Sequence, residues 1–338
     1  MNRRQIQKNN KRMMTYRGRK SFFGKEKVYS MIGFSVNALN YYGDLAPTTS
    51  KFSTDISFTR PAIGISFGHR FGPRYTLTAN FMYGAIKGSD QKSADAADLD
   101  NGVYRYRRNL SFRNRIQELS IVASIDLFEN QATYISRVAW TPYIFGGVAV
   151  FHHNPQAKAP ATDLQGNPLP EAGKWVNLQP LGTEGQYAVL QKGDSTHKQD
   201  ANYGIKPYKR IQISIPIGIG VRFRLNEVFD ISGELGFRYL FTDYIDDVSK
   251  SYVDLGVLDS ELAKAMSYRT NEILPPDHSY KGRDGQTYKV LSGYGEEFTD
   301  DKGNTNMRGS KTNKDFIMVT TVKLTYILGK SFHRAKFR

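Results

Sequence analysis

The sequence has no cysteine and no long hydrophobic run. The first absence excludes disulfide bonds and thiolate chemistry. The second excludes a transmembrane helix, which needs about eighteen consecutive apolar residues. Residues 1–27 also lack the apolar centre of a secretory signal peptide, so we expect export only if the given sequence starts at a mature or misassigned position.

Motifs that mark common catalytic sites are missing too. There is no G-x-S-x-G turn, no phosphate-binding loop and no H-E-x-x-H helix. His152 and His153 are adjacent, and neighbouring strand residues point to opposite faces, so one metal ion cannot easily bind both. Asp243, Asp246 and Asp247 follow no calcium-loop spacing, and we expect them on the acidic rim of a loop. The sequence therefore predicts no catalytic residue, no cofactor and no metal site.

Aromatic and basic residues are abundant. The chain of 338 residues contains 21 Tyr, 20 Phe and 30 Gly, a composition that favours strands, membrane interfaces and turns. The formal net charge of +15 fits nucleic acid, anionic lipid or an acidic protein as a partner, and equally a solvated basic surface. Composition alone leaves these alternatives open.

The dominant hydrophobic pattern has a period of two. In the clearest case, residues 211–224, the odd positions are apolar and the even positions are mostly small, polar or charged. The same alternation recurs with varying clarity in residues 28–39, 61–71, 76–83, 118–127, 141–151, 231–242 and 318–328. Many of these segments reach the roughly nine to eleven residues of a membrane-crossing strand, whereas soluble strands usually have about five or six. Pro216 lacks a backbone donor, so we expect a local bulge or break there.

The connections between these segments alternate between short and long. The short ones lie near residues 72–74, 129–139 and 225–227, and the long loops are residues 40–60, 87–111, 152–209 and 247–314. Transmembrane barrels have short periplasmic turns and long outer loops. The predicted fold is therefore all-β: an eight-stranded antiparallel transmembrane up-and-down β-barrel over residues 28–330, with long extracellular loops and periplasmic termini. Only residues 260–268 favour a helix, and no second domain is predicted.

The two faces of these strands predict different environments. Aromatic residues near the strand ends predict two girdles, with Phe71, Tyr75, Phe128, Phe229 and Phe332 at the short-turn end and Tyr41, Tyr42, Phe112, Phe151, Tyr208, Phe241, Tyr244 and Phe316 at the long-loop end. On the inner face, Gly218→Ser should be milder than Ile215→Arg or Leu235→Arg on the outer face.

Charged residues of both signs fall on the predicted inner faces. They are Glu118, Asp126, Arg222, Glu234, Arg238 and Lys323. An eight-stranded barrel has an interior that side chains just fill. We therefore predict a fixed network of salt bridges, because unpaired charges in so narrow a space are costly; a narrow ion path is the alternative.

Basic residues also concentrate at both ends of the chain. Residues 1–27 are predicted to be a disordered basic arm, and residues 331–338 a basic tail. With the short turns they predict a periplasmic surface for an acidic protein partner, comprising Arg12, Arg17, Arg19, Lys20, Arg74, Arg137, Arg334 and Lys336. The alternative is that the arm only contacts anionic headgroups or is absent from the mature protein.

Five short segments resemble a family of Bacteroidota outer-membrane barrels that includes PorG of the type IX secretion system. They are Asn40–Leu45, Arg108–Asn114, Phe151–Pro155, Leu178–Gln186 and Thr242–Asp247, and they spread over most of the chain. The resemblance implies an outer-membrane location, a non-enzymatic role and an association with a periplasmic ring of a lipoprotein and a soluble partner. The basic arm and the missing signal peptide depart from the family.

These observations favour a membrane scaffold or anchor of a secretion or gliding machinery. Its partners would be outer-membrane lipid and a periplasmic protein, with no nucleic acid and no small-molecule substrate. Two other classes stay open: a lipid-acting outer-membrane barrel enzyme, and a soluble basic β-protein that binds nucleic acid or polysaccharide. Recovery in the soluble fraction of the cell would favour the last.

Overall fold

A closed barrel of antiparallel strands forms the main body of the protein. The computed structural model describes residues 27–46, 58–100, 102–195, 198–300, 303–310 and 314–328. The barrel strands are β1 (Tyr29–Tyr42), β2 (Arg60–Arg70), β3 (Tyr75–Ser89), β4 (Ser111–Asp126), β5 (Trp140–His152), β8 (Ile211–Arg224), β9 (Phe229–Leu240) and β12 (Phe316–Leu328). Each pairs with its neighbour in this order, and β12 pairs back to β1. The predicted eight-stranded up-and-down barrel is confirmed.

Shorter elements lie in the long connections. Strands β6 (Pro155–Lys158) and β7 (Trp175–Asn177) extend the sheet from β4, and β10 (His278–Lys281) and β11 (Thr287–Val290) form a separate hairpin. The α-helices are α1 (Asp90–Ser93), α2 (Gly102–Arg108) and α3 (Glu261–Ser267), and the 3-10 helices are Tyr134–Ser136, Gln179–Leu181, Leu255–Val257 and Thr270–Glu272.

Helix α3 lies where the sequence predicts a helix, and the Oγ of Ser260 caps it by accepting a 3.1 Å hydrogen bond from the Ala263 backbone NH. The expectation of a single helix is wrong, because α1 and α2 also form. Helix α1 has only 4 residues, and α2, with the sequence GVYRYRR, has no apolar stripe like that of Leu262, Ala265 and Met266 in α3.

The observed connections alternate as the sequence predicts. Residues 71–74, 127–139 and 225–228 connect strands at one end, where β1 begins and β12 ends, and we call this the short-turn end. Residues 43–59, 90–110, 153–210 and 241–315 connect them at the other end. The described residues of these four connections pack together over the barrel, and we call them the loop cap. Its own hydrophobic core includes Tyr252, Val253, Leu255, Tyr268 and Val290.

Large apolar side chains cover the outer face of all eight strands. We call them the apolar belt: Ile32, Phe34, Val36, Ile63, Ile65, Phe67, Leu77, Phe81, Tyr83, Leu119, Ile121, Ile125, Ile144, Val148, Val150, Ile211, Ile213, Ile215, Ile217, Ile219, Phe223, Leu235, Tyr239, Val322, Leu324, Tyr326 and Leu328. Each is between 37% and 64% exposed. Soluble monomers rarely expose a continuous apolar patch above about 300–600 Å². The belt therefore faces something other than water.

The predicted aromatic girdles are only partly observed. At the short-turn end, Phe71, Tyr75 and Phe128 are about half exposed, whereas Phe332 lies outside the described residues. At the long-loop end the prediction is wrong for five residues that are buried: Tyr41, Tyr42, Phe112, Phe151 and Tyr208. The strand alternation turns Tyr41, Phe112 and Phe151 towards the interior, where they pack beneath the loop cap.

Proline in β8 interrupts the pairing without changing the register. Residues 211–214 and 217–223 of β8 pair with β5. Ile215 and Pro216, which lie between these two segments, have no partner on β5. The register is the same on both sides, so the feature is a local break and not a bulge. On the other edge, Pro216 stays in register with Arg238 of β9.

Gly218 lies on the inner face of β8, and the space around it argues against the expected mild effect of Gly218→Ser. A Cβ atom there would overlap the carbonyl oxygen of Leu235 and would approach the Phe145 ring to 2.5 Å. The neighbouring backbone cannot move away without disturbing the sheet. We therefore expect Gly218→Ser to disrupt the barrel, although the position does not face the belt.

Candidate functional site: barrel interior and loop cap

The predicted inward-facing charges form three pairs in the barrel interior, two between strands that are not neighbours and one between the neighbouring strands β9 and β12. Arg238 Nε lies 3.0 Å from Glu118 Oε1, and Lys323 Nζ lies 2.6 Å from Glu234 Oε1. Arg222 Nη1 lies 3.5 Å from Asp126 Oδ1. Every one of these six side chains is at most 16% exposed. Paired charges of both signs thus occupy the barrel interior.

Residues that the sequence analysis did not single out complete this network. Arg70 Nη1 lies 2.6 Å from Asp126 Oδ2, so this carboxylate faces two arginines. The Tyr143 hydroxyl donates a 2.7 Å hydrogen bond to Glu234. Arg70 could have been found from the alternation, because Ile63, Ile65 and Phe67 face outward and the even positions of β2 therefore face inward.

Asp126→Ala should strongly destabilise the short-turn end of the barrel. The substitution leaves Arg70 and Arg222 buried without their shared carboxylate, and breaking a buried pair costs about 3–5 kcal/mol. The measurement is urea unfolding in lipid vesicles, followed by tryptophan fluorescence. Glu129→Ala, in the exposed turn after β4, is the matched control and should leave the midpoint unchanged. Equal midpoints for both variants would contradict a structural role for the interior pairs.

The predicted partner surface divides into three groups of residues. Arg12, Arg17, Arg19, Lys20, Arg334 and Lys336 lie outside the described residues. Arg74 is exposed in the turn between β2 and β3. Including Arg137 was wrong: it is 6% exposed, and it pairs with Asp230 at 2.7 Å while also donating to the Glu227 carbonyl at 2.7 Å. This arginine joins two turns and cannot offer its charge to a partner.

A small cavity marks the short-turn end of the interior. Its lining includes Arg70, Arg137, Arg222 and Asp230, and it encloses about 10 Å³. That volume corresponds to about one water molecule. This cavity is therefore too small to hold a substrate.

Buried ion pairs also hold the loop cap together. The Nε and Nη2 atoms of Arg108 each donate a 2.8 Å hydrogen bond to Asp90. The same guanidinium donates to the carbonyl oxygens of Arg308 at 2.6 Å and Asp44 at 2.8 Å. Arg308 is 2% exposed and contacts Glu184 at 3.1 Å and Asp247 at 3.8 Å. Sequence distances between these partners are too long for any local motif to reveal them. The four long connections thus form one cap and not four independent loops.

The expected acidic rim is wrong, because Asp246 and Asp247 are buried beneath the cap and Asp243 is half-buried. Asp246 and Asp247 are 1% and 0% exposed. The Tyr41 hydroxyl oxygen lies 2.6 Å from Asp246 Oδ2 and 2.9 Å from Asp315 Oδ1, and burial raises the pKa of both carboxyls well above the ordinary value. Burial also raises the pKa of Asp243 to about 7 and that of Asp247 to about 6. The loops fold over these residues instead of exposing them.

The adjacent histidines take different positions. His152 is half-buried at the end of β5, whereas His153 is fully buried and stacks on Tyr208 at 5.8 Å between ring centroids. The Nε2 of His153 lies 3.1 Å from the Lys209 carbonyl oxygen, and burial lowers its pKa to about 4. Among the described residues, no group of three or more His, Asp or Glu side chains is arranged to hold a metal ion.

The folded loop cap should be more stable at pH 6 than at pH 8. A carboxyl whose folded pKa is raised stabilises the fold fully below its unfolded pKa of about 3.9, and this stabilisation is lost as pH rises through the folded value. Asp243 loses this stabilisation as pH rises through about 7, and Asp247 loses it as pH rises through about 6. His153, with its lowered pKa, acts oppositely, but only where pH falls from about 6.5 through 4.

We expect protease cleavage of the cap to be roughly tenfold faster at pH 8 after correction for protease activity, since one pKa unit corresponds to about a factor of ten. Asp243→Asn should remove part of this difference, and Glu171→Gln, on a half-buried cap residue outside the cluster, should leave it intact. A pH-independent cleavage rate would contradict the role of the buried carboxyls.

Comparison with known proteins gives one family match and several structures of similar shape. In the described part of the chain, no helix is long and apolar enough to cross a membrane. The solved neisserial surface protein A (NspA) is 8% identical, with a TM-score of 0.35, over 88% of this chain and 96% of that one. OprG from Pseudomonas aeruginosa is 9% identical, with a TM-score of 0.35, over 90% and 98%.

Comparison of the sequence itself gives fewer matches than comparison of the structure. None of the curated proteins matches the chain. One family model matches residues 21–164, and it describes a domain of unknown function, DUF6089.

Proposed function

We propose that this protein spans the bacterial outer membrane as a closed, non-enzymatic barrel. The observation that carries the proposal is the apolar belt, which surrounds all eight strands while the charged side chains of the interior pair with one another. A soluble protein has apolar side chains inside and polar side chains outside, whereas this barrel has the opposite arrangement. Such an arrangement is expected of a barrel that is surrounded by lipid. The strands leave no backbone edge open between β1 and β12, as the hydrocarbon region requires.

The filled interior supports a role as scaffold or anchor. A barrel whose interior is closed by three ion pairs has no continuous path for ions or substrates. Its activity then resides in the two surfaces that face water. The loop cap would lie outside the cell, and the short-turn end and both chain termini would lie in the periplasm.

For the periplasmic surface we propose a protein partner with an acidic face. The basic arm and tail flank the short-turn end in sequence, and Arg74 adds an exposed cation there. Opposite charge accelerates association, and the effect weakens as salt is added. The resemblance to the PorG-like family suggests the ring of the type IX secretion and gliding machinery as this partner.

Co-purification tests the partner directly. A variant with Arg12, Arg17, Arg19, Lys20, Arg74, Arg334 and Lys336 changed to glutamine should still insert into the membrane but should lose the ring proteins. A second variant with the same number of glutamine substitutions at exposed cap lysines controls for total charge. Retention of the ring by the first variant would contradict the proposed surface. Recovery of nucleic acid, or of a lipid-modifying activity, would favour the alternative functions.

A further inference from the structure

Three cations face outward on β3 and β4 directly above the apolar belt. They are Lys87, Arg113 and Arg115, and the register pairs Lys87 with Arg113 across the two strands. The same outer face continues towards the short-turn end with Tyr83 and Leu119, which are 41% and 59% exposed. At about 3.3 Å per residue, Arg115 lies roughly 13 Å along the strand from Leu119. The cations therefore lie on the loop-cap side of the belt, where lipid headgroups would lie if the belt spans a bilayer.

Strands β6 and β7 bring an exposed indole to these cations. Strand β6 pairs with β4 at Arg113, and β7 pairs with β6. The guanidinium of Arg113 lies 3.7 Å from the ring centroid of Trp175, and Lys158 Nζ lies 5.9 Å from it. Trp175 is 40% exposed. Amide side chains adjoin it, with Asn177 Oδ1 accepting hydrogen bonds of 2.9 and 2.7 Å from Asn154 and Gln156.

Positive charge dominates this region. Within the described residues, no acidic side chain forms an ion pair with Arg113, Arg115 or Lys158. Arg113 and Arg115 share one face of β4, so their side chains start only about 7 Å apart and repel each other. A bound anion would relieve this repulsion. A ligand with more than one negative group, or a sugar beside a phosphate, fits the cluster best.

We propose that Lys87, Arg113, Arg115, Lys158 and Trp175 bind the phosphorylated sugar headgroup of a glycolipid in the outer leaflet. The inference rests on the proposed membrane location. Guanidinium and ammonium groups bind phosphate oxygens. The indole supplies an amphipathic platform at the interface, and the adjoining amides can both donate and accept hydrogen bonds to hydroxyl groups. The acyl chains of such a lipid would lie against Tyr83 and Leu119 on the belt.

The test measures how much lipid the purified protein retains. The full-length protein is inserted into phosphatidylcholine vesicles that contain lipid A or phosphatidylglycerol, extracted with mild detergent, and analysed by mass spectrometry. We expect Arg113→Glu/Arg115→Glu to lower lipid A retention by at least about tenfold, the effect of losing charge-assisted contacts worth roughly 1.4 kcal/mol. Lys281→Glu/Lys289→Glu, on exposed residues of β10 and β11, makes the same charge change elsewhere in the cap and should retain lipid A.

Two further variants keep the outcome decisive. Arg115→Gln changes one exposed side chain and should weaken retention even if the double variant fails to insert. Trp175→Ala should lower the retention of lipid A more than that of phosphatidylglycerol. Unchanged lipid A retention in inserted variants, or equal wild-type retention of both lipids, would overturn the headgroup site. Failure of the wild type to insert into any vesicle would instead contradict the proposed membrane location.

Discussion

Ile217→Arg is expected to lower the free energy of unfolding by about 2–4 kcal/mol and to reduce recovery of the folded barrel. Ile217 lies near the middle of β8 on the apolar belt, and its side chain is 50% exposed. An exposed isoleucine in water tolerates arginine at little cost, whereas an arginine near the bilayer midplane loses its hydration. The size of the effect therefore reports what surrounds the belt. The measurement is equilibrium unfolding in vesicles, with the folded fraction followed by heat-dependent gel migration.

Val189→Arg supplies the matched control for this substitution. Val189 lies in the loop cap and is 88% exposed, so the same class of change takes place on a surface that we place in water. Its free energy of unfolding should change by less than about 0.5 kcal/mol. Gly218→Ser is not a suitable control, because the added side chain meets the backbone of β9. Equal tolerance of arginine at Ile217 and Val189 would argue that no bilayer surrounds the sheet.

Arg308→Ala should open the loop cap while the barrel stays folded. The substitution leaves Glu184 and Asp247 buried without their cation, at a cost of about 3–5 kcal/mol. It also removes donors to the carbonyl oxygens of Ser267 and Asp247 within residues 241–315. This connection therefore loses both its internal hydrogen bonds and its contact with Glu184 in residues 153–210. Limited proteolysis of protein in vesicles should give rapid cleavage in the cap and leave the strands protected.

Arg107→Ala is the control for this experiment. Arg107 is exposed near the end of α2, next to the buried Arg108, and its loss should not change the cleavage rate. Heat-dependent gel migration checks that the barrel of each variant is intact. Slow cleavage of the Arg308→Ala cap would contradict the view that buried ion pairs hold the four connections together. Unfolding of the barrel along with the cap would show that the two are one cooperative unit.

Local alternation was sufficient to predict the barrel. Each strand presents apolar residues to one face, as in residues 211–224, and a one-residue shift would turn the whole set inward, so the sequence specifies the register strongly. The same alternation placed Glu118, Arg238, Glu234 and Lys323 on the inner face. The Glu118–Arg238 pair follows from closure, because distant strands of a narrow barrel approach within side-chain reach. Glu234 and Lys323 lie on the neighbouring strands β9 and β12 and are within reach of each other in the sheet.

The loop cap could not be predicted in the same way. Its contacts join residues far apart in sequence, such as Arg108 to the Arg308 carbonyl and Asn114 to the Ile245 carbonyl. No periodic pattern marks such contacts, and exposed-looking aspartates such as Asp247 prove to be buried. Polar composition usually indicates a solvated loop, but here ion pairs and tyrosine hydroxyls satisfy the buried charges. The prediction of an aromatic girdle at the long-loop end was wrong for a related reason, because the cap covers inward-facing aromatic residues such as Tyr41.

Cell fractionation tests the central claim most directly. Envelopes from cells that express the full chain are separated on a density gradient and then extracted with alkaline carbonate, which releases peripheral proteins. A membrane-spanning barrel should migrate with the outer membrane, resist extraction, and lose this behaviour in the Ile217→Arg variant but not in Val189→Arg. Recovery of the wild-type protein in the soluble fraction, or its complete release by carbonate, would contradict a transmembrane barrel.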